Sequence, residues 1–342
     1  MALVLDVFDQ NGWGVVEYDE NIVDNTEFKP QLLGSLNLFD PIYSRSSAIA
    51  VAQKNGTLAL IPTSELGAPL EELVPEGADV RLFKAPRLAK GSTIYSTELA
   101  GILALPFEEQ TVEVADELAD RTTAIMDDLE LTWEHHRLGA IQGIVYDADG
   151  TTPIINWYTE WGITPPTEVN FALGTATTDV RKKCRDVGRA MQKASKGAWT
   201  PSTRIGALCG DAFFDSLVNH DQIKETKLHT DSAVSLEGIE GYSAIEIENI
   251  TFINYRGTDD DTKLAINTDK VKFFPIGARG VFRVGFGPCQ ESKRYLNRRA
   301  QEYYSMLLAD PSGREAWDRA EIYSYPLHIC TKPGMLIPGR RA

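Results

Sequence analysis

Residues 113–142 read EVADELADRTTAIMDDLELTWEHHRLGAIQ, and the other segments are placed by reference to them. Val114, Leu118, Ile125, Leu129, Trp133 and Ala140 recur at steps of four and seven, which stacks them along one face of a 3.6-residue helix. Glu113, Asp116, Glu117, Asp120, Arg121, Asp127, Asp128, Glu130 and Glu134 fall mostly off that stripe and predict a charged opposite face. No Pro or Gly interrupts the run before Gly139. A helix over 113–142 would be a rod of roughly 45 Å at 1.5 Å per residue. Its broken spacing lacks the strict heptads of a coiled coil and predicts a spine laid across one domain.

Upstream, Ala48–Gln53 and Leu58–Ile61 are short apolar runs separated by Lys54-Asn55-Gly56-Thr57, and an Asn-Gly pair in that setting predicts a tight hairpin. Val80–Lys84 and Ser92–Thr97 read as further strands, so 44–98 is expected to be a projecting β excursion. Residues 1–40 show no lasting period, yet Trp13, Phe28, Leu32, Leu33 and Phe39 suit an arm that docks on something. Downstream, Gly143–Tyr146 and Ile154–Tyr158 flank an Asp147–Gly150 turn, read as an Asx turn because the further ligands of a calcium loop are missing. Thr177 or Thr178 is expected to cap a helix carrying Val180, Cys184, Val187, Met191 and Ala194. Strands are expected at 204–209, 244–255, 264–267, 271–276 and 281–284, with a helix at 211–218 closed by His220 and an acidic tip at 258–262. This alternation predicts an α+β class with a mixed sheet. The proline-bearing tail 323–337 is expected to be extended or an edge strand.

The hydrophobic share of 43% and charged share of 24% are ordinary for a globular chain, which excludes a disordered one. No apolar run approaches the roughly 18 residues of a membrane helix, and the N-terminus lacks the pattern of a signal peptide. The scattered Cys184, Cys209, Cys289 and Cys330 predict buried free thiols in a reducing compartment. The net charge of −15 argues against a surface that grips nucleic acid. Charge is also uneven: residues 1–40 carry eight acids against Lys29, whereas 281–342 carry ten basic residues against six acids. No nucleophile elbow, P-loop, dinucleotide fingerprint or metal-spaced histidine pair is present, so no catalytic residue, cofactor or metal is expected.

Several strings resemble, in order, the lambda-type major capsid proteins of tailed bacteriophages. They are Phe274-Pro275-Ile276-Gly277, Val284-Gly285-Phe286-Gly287-Pro288 and Tyr323-Ser324-Tyr325-Pro326-Leu327-His328-Ile329-Cys330 with Pro333. Weaker ones are Leu60-Ile61-Pro62, Arg81 with Pro86, Ile94–Gly101, Thr132-Trp133-Glu134, and Ile205–Gly210 before Phe213-Phe214. His328 stands where lambda-like relatives often have Pro. The resemblance implies a Hong Kong 97-like fold: an N-arm at 1–40, an E-loop at 44–98, and a peripheral domain at 99–170 with spine helix 113–142. An axial domain at 171–320 and a C-terminal return at 321–342 to the peripheral domain complete it. It implies a structural protein that forms hexamers and pentamers of an icosahedral head around double-stranded DNA, with scaffolding, portal and decoration proteins as partners. Assembly would take place in the host cytoplasm, and the product would be the virion capsid. Assembly contacts are expected at Lys54, Asn55 and Gly56, at Arg81, and at Trp13 and Phe28; Lys54 and Asn55 are read as turn residues, not as a crosslink. An encapsulin-like compartment is the alternative, and a cytoplasmic hydrolase a remote one.

Overall fold

A computed structural model of the chain describes residues 32–46, 48–53, 79–99, 107–227, 244–255, 266–295, 298–312, 314 and 316–342. The chain enters through a one-turn helix α1 (Leu32–Ser35), β1 (Asp40–Tyr43), β2 (Ala48–Gln53), β3 (Asp79–Lys84), β4 (Leu88–Tyr95) and α2 (Ser96–Leu99). The long helix α3 (Phe107–Gln142) follows, then β5 (Ile144–Tyr146), β6 (Pro153–Asn156), α4 (Trp157–Trp161) and β7 (Val169–Asn170). Next come α5 (Val180–Ala194), β8 (Arg204–Cys209), α6 (Asp211–Asn219), α7 (Asp221–Lys227), β9 (Ala244–Ile247) and β10 (Ile250–Asn254). The chain ends with β11 (Lys270–Ile276), β12 (Phe282–Phe286), β13 (Tyr304–Ala309), β14 (Trp317–Ser324), β15 (Pro326–Cys330) and β16 (Ile337–Arg340).

A six-stranded mixed sheet, β7-β16-β11-β8-β10-β9, is buried on both faces, which is why β8 reads as an unbroken apolar run. Ile205, Ala207, Phe252, Val271 and Phe273 meet Val180, Cys184, Val187 and Met191 of α5 and Phe213 and Leu217 of α6. Leu208, Ile253 and Phe274, on the opposite face, join the main core with Leu138, Ala140 and Ile141 of α3. Two three-stranded sheets flank α3. In β13-β14-β4, Ile322 packs on Ile125, Met126 and Leu129. In β1-β12-β15, Val284 and Phe286 pack on Trp133.

The helix starts at Phe107, six residues before its periodicity shows, and spans 36 residues. From Glu117 to Asp128 it is amphipathic, with Leu118, Thr122, Ile125 and Met126 buried and Thr123, Ala124, Asp127 and Asp128 exposed. From Leu129 to Gln142 every residue is buried or half-buried. Glu130 and Glu134 are therefore not on a charged outer face: they are 4% and 0% exposed. Gly139 sits inside this enclosed part because a Cβ there would lie 2.9 Å from both Ile144 O and Val145 Cα. Gly143, at φ +88°, then turns the chain into β5 beneath the Tyr158 ring.

Other expectations change for local reasons. The strand expected over 154–158 stops at Asn156, whose side chain accepts from Tyr158 N and Thr159 N and starts α4. Asp179, not Thr177 or Thr178, caps α5 by accepting from Lys182 N. The single strand expected at 244–255 is a hairpin turned by Glu248 and Asn249, with φ of 53° and 62°. Ile266 and Asn267 are not in a strand, and 264–265 lie outside the described residues, as does the acidic tip. In the tail, β15 is an edge strand of β1-β12-β15, as expected; only its two ends depart, Tyr323 and Ser324 closing β14, the middle strand of its sheet, and Ile337 opening β16, which lies between β7 and β11.

The pairing also redistributes the expected segments. Residues 282–309, assigned by resemblance to the axial domain, pair with β1, β15 and β14 beside α3, whereas β16 joins the six-stranded sheet. Leu32 and Leu33, counted in the arm, are core residues. The described partner of β2 is β3, in register from Ala48 opposite Lys84 to Gln53 opposite Asp79. The Asn55-Gly56 turn and Leu58–Ile61 lie outside the described residues.

Candidate assembly surface

Two features of the fold adjoin the segments 1–31 and 54–78, which lie outside the described residues. The first is the anchor where residues 1–31 enter. The Glu134 carboxylate accepts from Leu33 N at 2.8 Å, Gly34 N at 3.2 Å and Tyr255 OH at 3.2 Å. Arg137 bridges it to Glu130, donating at 3.4 Å and 3.1 Å. Burial pushes both carboxyls above their usual range, Arg137 pulls both back, and the Leu33 amide helps to pull back Glu134. One carboxylate thus ties α1, α3 and the end of β10 together. Behind it lies an apolar wall, with Trp133 stacked on Tyr303 at 4.8 Å and His328 edge-on to Phe39 at 5.2 Å. His328 lies within β15, opposite Val284, so the strand runs straight through the position that departs from the lambda-like pattern. His136 and His328 are 6.0 Å apart and buried; burial lowers the His136 pKa to about 4 and holds His328 well below its usual range.

The second feature is the β2–β3 ribbon. Ile49, Val51 and Phe83 face the core, Phe83 lying 5.3 Å from Trp157 and 6.2 Å from Trp161. Ala50 and Leu82, opposite one another on the other face, are turned to solvent, Leu82 at 69% exposure. Exposed Lys84 shares that outer face with Leu82. Residues 54–78 leave from the far end of this ribbon.

Of the expected contact residues, Arg81 is described: it is half-buried and its guanidinium lies 5.4 Å over the Trp161 ring, so it braces the ribbon against its own subunit. Lys54, Asn55, Gly56, Trp13 and Phe28 lie outside the described residues. The anchor itself escaped the sequence reading. Glu130, Glu134 and Arg137 read as surface charges, and nothing local in the sequence marks them as buried. All four cysteines are buried and free, as their scatter implies. Among the described residues no group of three or more His, Cys, Asp or Glu could hold a metal, and no helix is long and apolar enough to cross a membrane.

A family profile described as phage major capsid protein E matches residues 21–341. The chain belongs to that family. Its capsid fold is Hong Kong 97-like and its role is structural, as a subunit of a phage capsid shell. The candidate capsid protein of a prophage from E. coli CFT073 has a similar crystal structure: 13% identity, 94% of this chain and 97% of that one covered, and a TM-score of 0.59. Gordonia phage Cozz (12% identity, 92% and 88% covered) and the capsid of cyanophage P-SCSP1u (10%, 92% and 89%) give TM-scores of 0.48 and 0.47. No curated protein matches the sequence.

Proposed function

We propose that this capsid protein assembles with its own copies into the hexamers and pentamers of an icosahedral head, around a scaffolding and a portal protein in the host cytoplasm, and encloses double-stranded DNA. A decoration protein secures the finished shell. The N-terminal segment and the 54–78 extension are the parts that reach across neighbours, carrying Trp13 and Phe28, and Lys54, Asn55 and Gly56, into intersubunit contacts. The observation that supports this reading is the ribbon: one face fastened to the core by Ile49, Val51 and Phe83, the other presenting Leu82. Such contacts are individually weak and add up by repetition around a closed surface, which keeps assembly reversible until it closes. The acidic balance of the chain suits a container that must not trap the DNA it holds.

Deleting 54–78 tests the reading, since it removes the extension and spares the core ends of the ribbon. The expected outcome is a folded subunit, judged by cooperative thermal unfolding, that closes no shells under electron microscopy. Normal particles from the deletion variant would refute the extension's role. Nuclease-protected DNA inside wild-type particles is expected; protein cargo without DNA would point to a compartment instead.

A further inference from the structure

We propose that an exposed basic patch formed by Arg45, Lys293, Arg298 and Arg299 receives the acidic N-terminal segment, residues 1–31, of a neighbouring copy. The inference rests on the shell reading above and adds to it a named docking surface and a charge rule. The patch is made by one backbone junction. Ser44 N donates to Phe286 O at 3.0 Å and Ala300 N donates to Ser44 O at 2.9 Å, so Arg45 emerges beside Arg298 and Arg299. Lys293 opens the 3-10 turn Lys293–Tyr295, and Arg298 N closes back on Tyr295 O at 3.4 Å, which brings that turn to the same surface. All four side chains are exposed.

The carboxylates nearby are already engaged. Glu291 takes Arg87 Nε at 2.6 Å, and Glu302 takes the Tyr43 hydroxyl at 2.5 Å. Arg299 lies 5.0 Å over the Tyr43 ring, which fixes its direction. Among the described residues no carboxylate pairs with any of the four cations. A chain of net charge −15 thus keeps a cationic surface that its own described acids do not neutralise.

The acids that could fill it are concentrated at one end. Residues 1–31 carry seven acids between Asp6 and Glu27 against Lys29 alone. The family profile begins at residue 21, so five of the seven belong to a stretch that precedes it. Fixed at Leu33 and Gly34 by Glu134, that stretch has a maximum reach of roughly 100 Å at ~3.3 Å per residue, enough to cross onto the next subunit. Exposed ion pairs are weak singly, and a shell repeats each one many times. Their attraction also depends on salt, because the Debye length is about 10 Å at 0.1 M.

The test is charge exchange between two full-length variants. One carries Arg45→Glu, Arg298→Glu and Arg299→Glu; the other carries Asp6→Lys, Asp9→Lys, Glu17→Lys, Asp19→Lys and Glu20→Lys. Each alone, still folded by circular dichroism, is expected to slow shell formation in light scattering by roughly tenfold at low salt, the range of electrostatic steering. An equimolar mixture is expected to recover the wild-type rate, because the acidic segment of one variant then meets the intact patch of the other. Should the glutamate variant fail to fold, Arg45→Gln with Arg298→Gln serves in its place, with the wild-type rate expected to fall as salt rises. Recovery only when both sets of changes sit in one chain would mean that the segment folds onto its own subunit, and would overturn the proposal. So would variants that assemble normally and lose only packaged DNA, which would make the patch a phosphate contact. Wild-type protein that forms no particles would sink the shell reading itself, a different outcome from normal shells in both variants.

Discussion

Glu134 shows how much one residue can hold. Its carboxylate gathers two amides, a hydroxyl and a guanidinium at a fully buried position, so removing it strands the Leu33 and Gly34 amides. Glu134→Leu is expected to cost about 3–5 kcal/mol, measured as a lower urea midpoint of the unassembled subunit, because breaking one side of a buried charged network leaves the other uncompensated. An unchanged midpoint would mean that the anchor does not hold α1. His136 offers a second residue-scale test. Burial holds its folded pKa near 4 against 6.5 unfolded, so between these values the unfolded chain binds more protons and stability is lost as pH falls. Glu130 and Glu134, with raised pKa values, act with the opposite sign, so the comparison needed is with His136→Phe. Between pH 7 and pH 4 the balance should move by roughly 3 kcal/mol in favour of the variant, read from denaturant titrations at each pH. A gap that does not change with pH would contradict a neutral, buried imidazole.

At the scale of elements, the same substitution should act oppositely at two helix glycines. Gly139→Ala forces a Cβ onto the backbone of Ile144 and Val145 and should destabilise, although Ala is the better helix former. Gly188→Ala in α5 meets only Ile205 Cδ1 at 3.6 Å and should stabilise by about 0.5–1 kcal/mol, as seen in the thermal midpoint. Both changing in the same direction would contradict the close approach of β5 to α3. This contrast also explains what the sequence could show. The amphipathic half of α3 and the stripe of α5 were legible because one face is wet and the other dry, which is what periodicity records. The enclosed half of α3 carried no such contrast, so its buried carboxylates looked like surface charges. Glu248-Asn249 was read through as strand because its left-handed turn is made without glycine, and Asn156 hid a helix start inside an apolar run. The anchor was illegible because it joins residues 100 positions apart.

Over the whole molecule, the class was legible from short strings in order, while the division into parts was not. Strand partners in β12, β13 and β16 are set by pairing across the chain and leave no local trace. What the structure adds is a subunit whose described core is well packed and whose surface carries an exposed Leu82 and a cationic patch, for which the acidic N-terminal segment of a neighbouring copy is the proposed partner. The account therefore stands on self-association. Its most direct test is electron microscopy of the expressed wild-type protein, checked by sedimentation velocity. The account predicts closed particles of uniform diameter in equilibrium with free subunits; a monomer that stays a monomer at every concentration would contradict it.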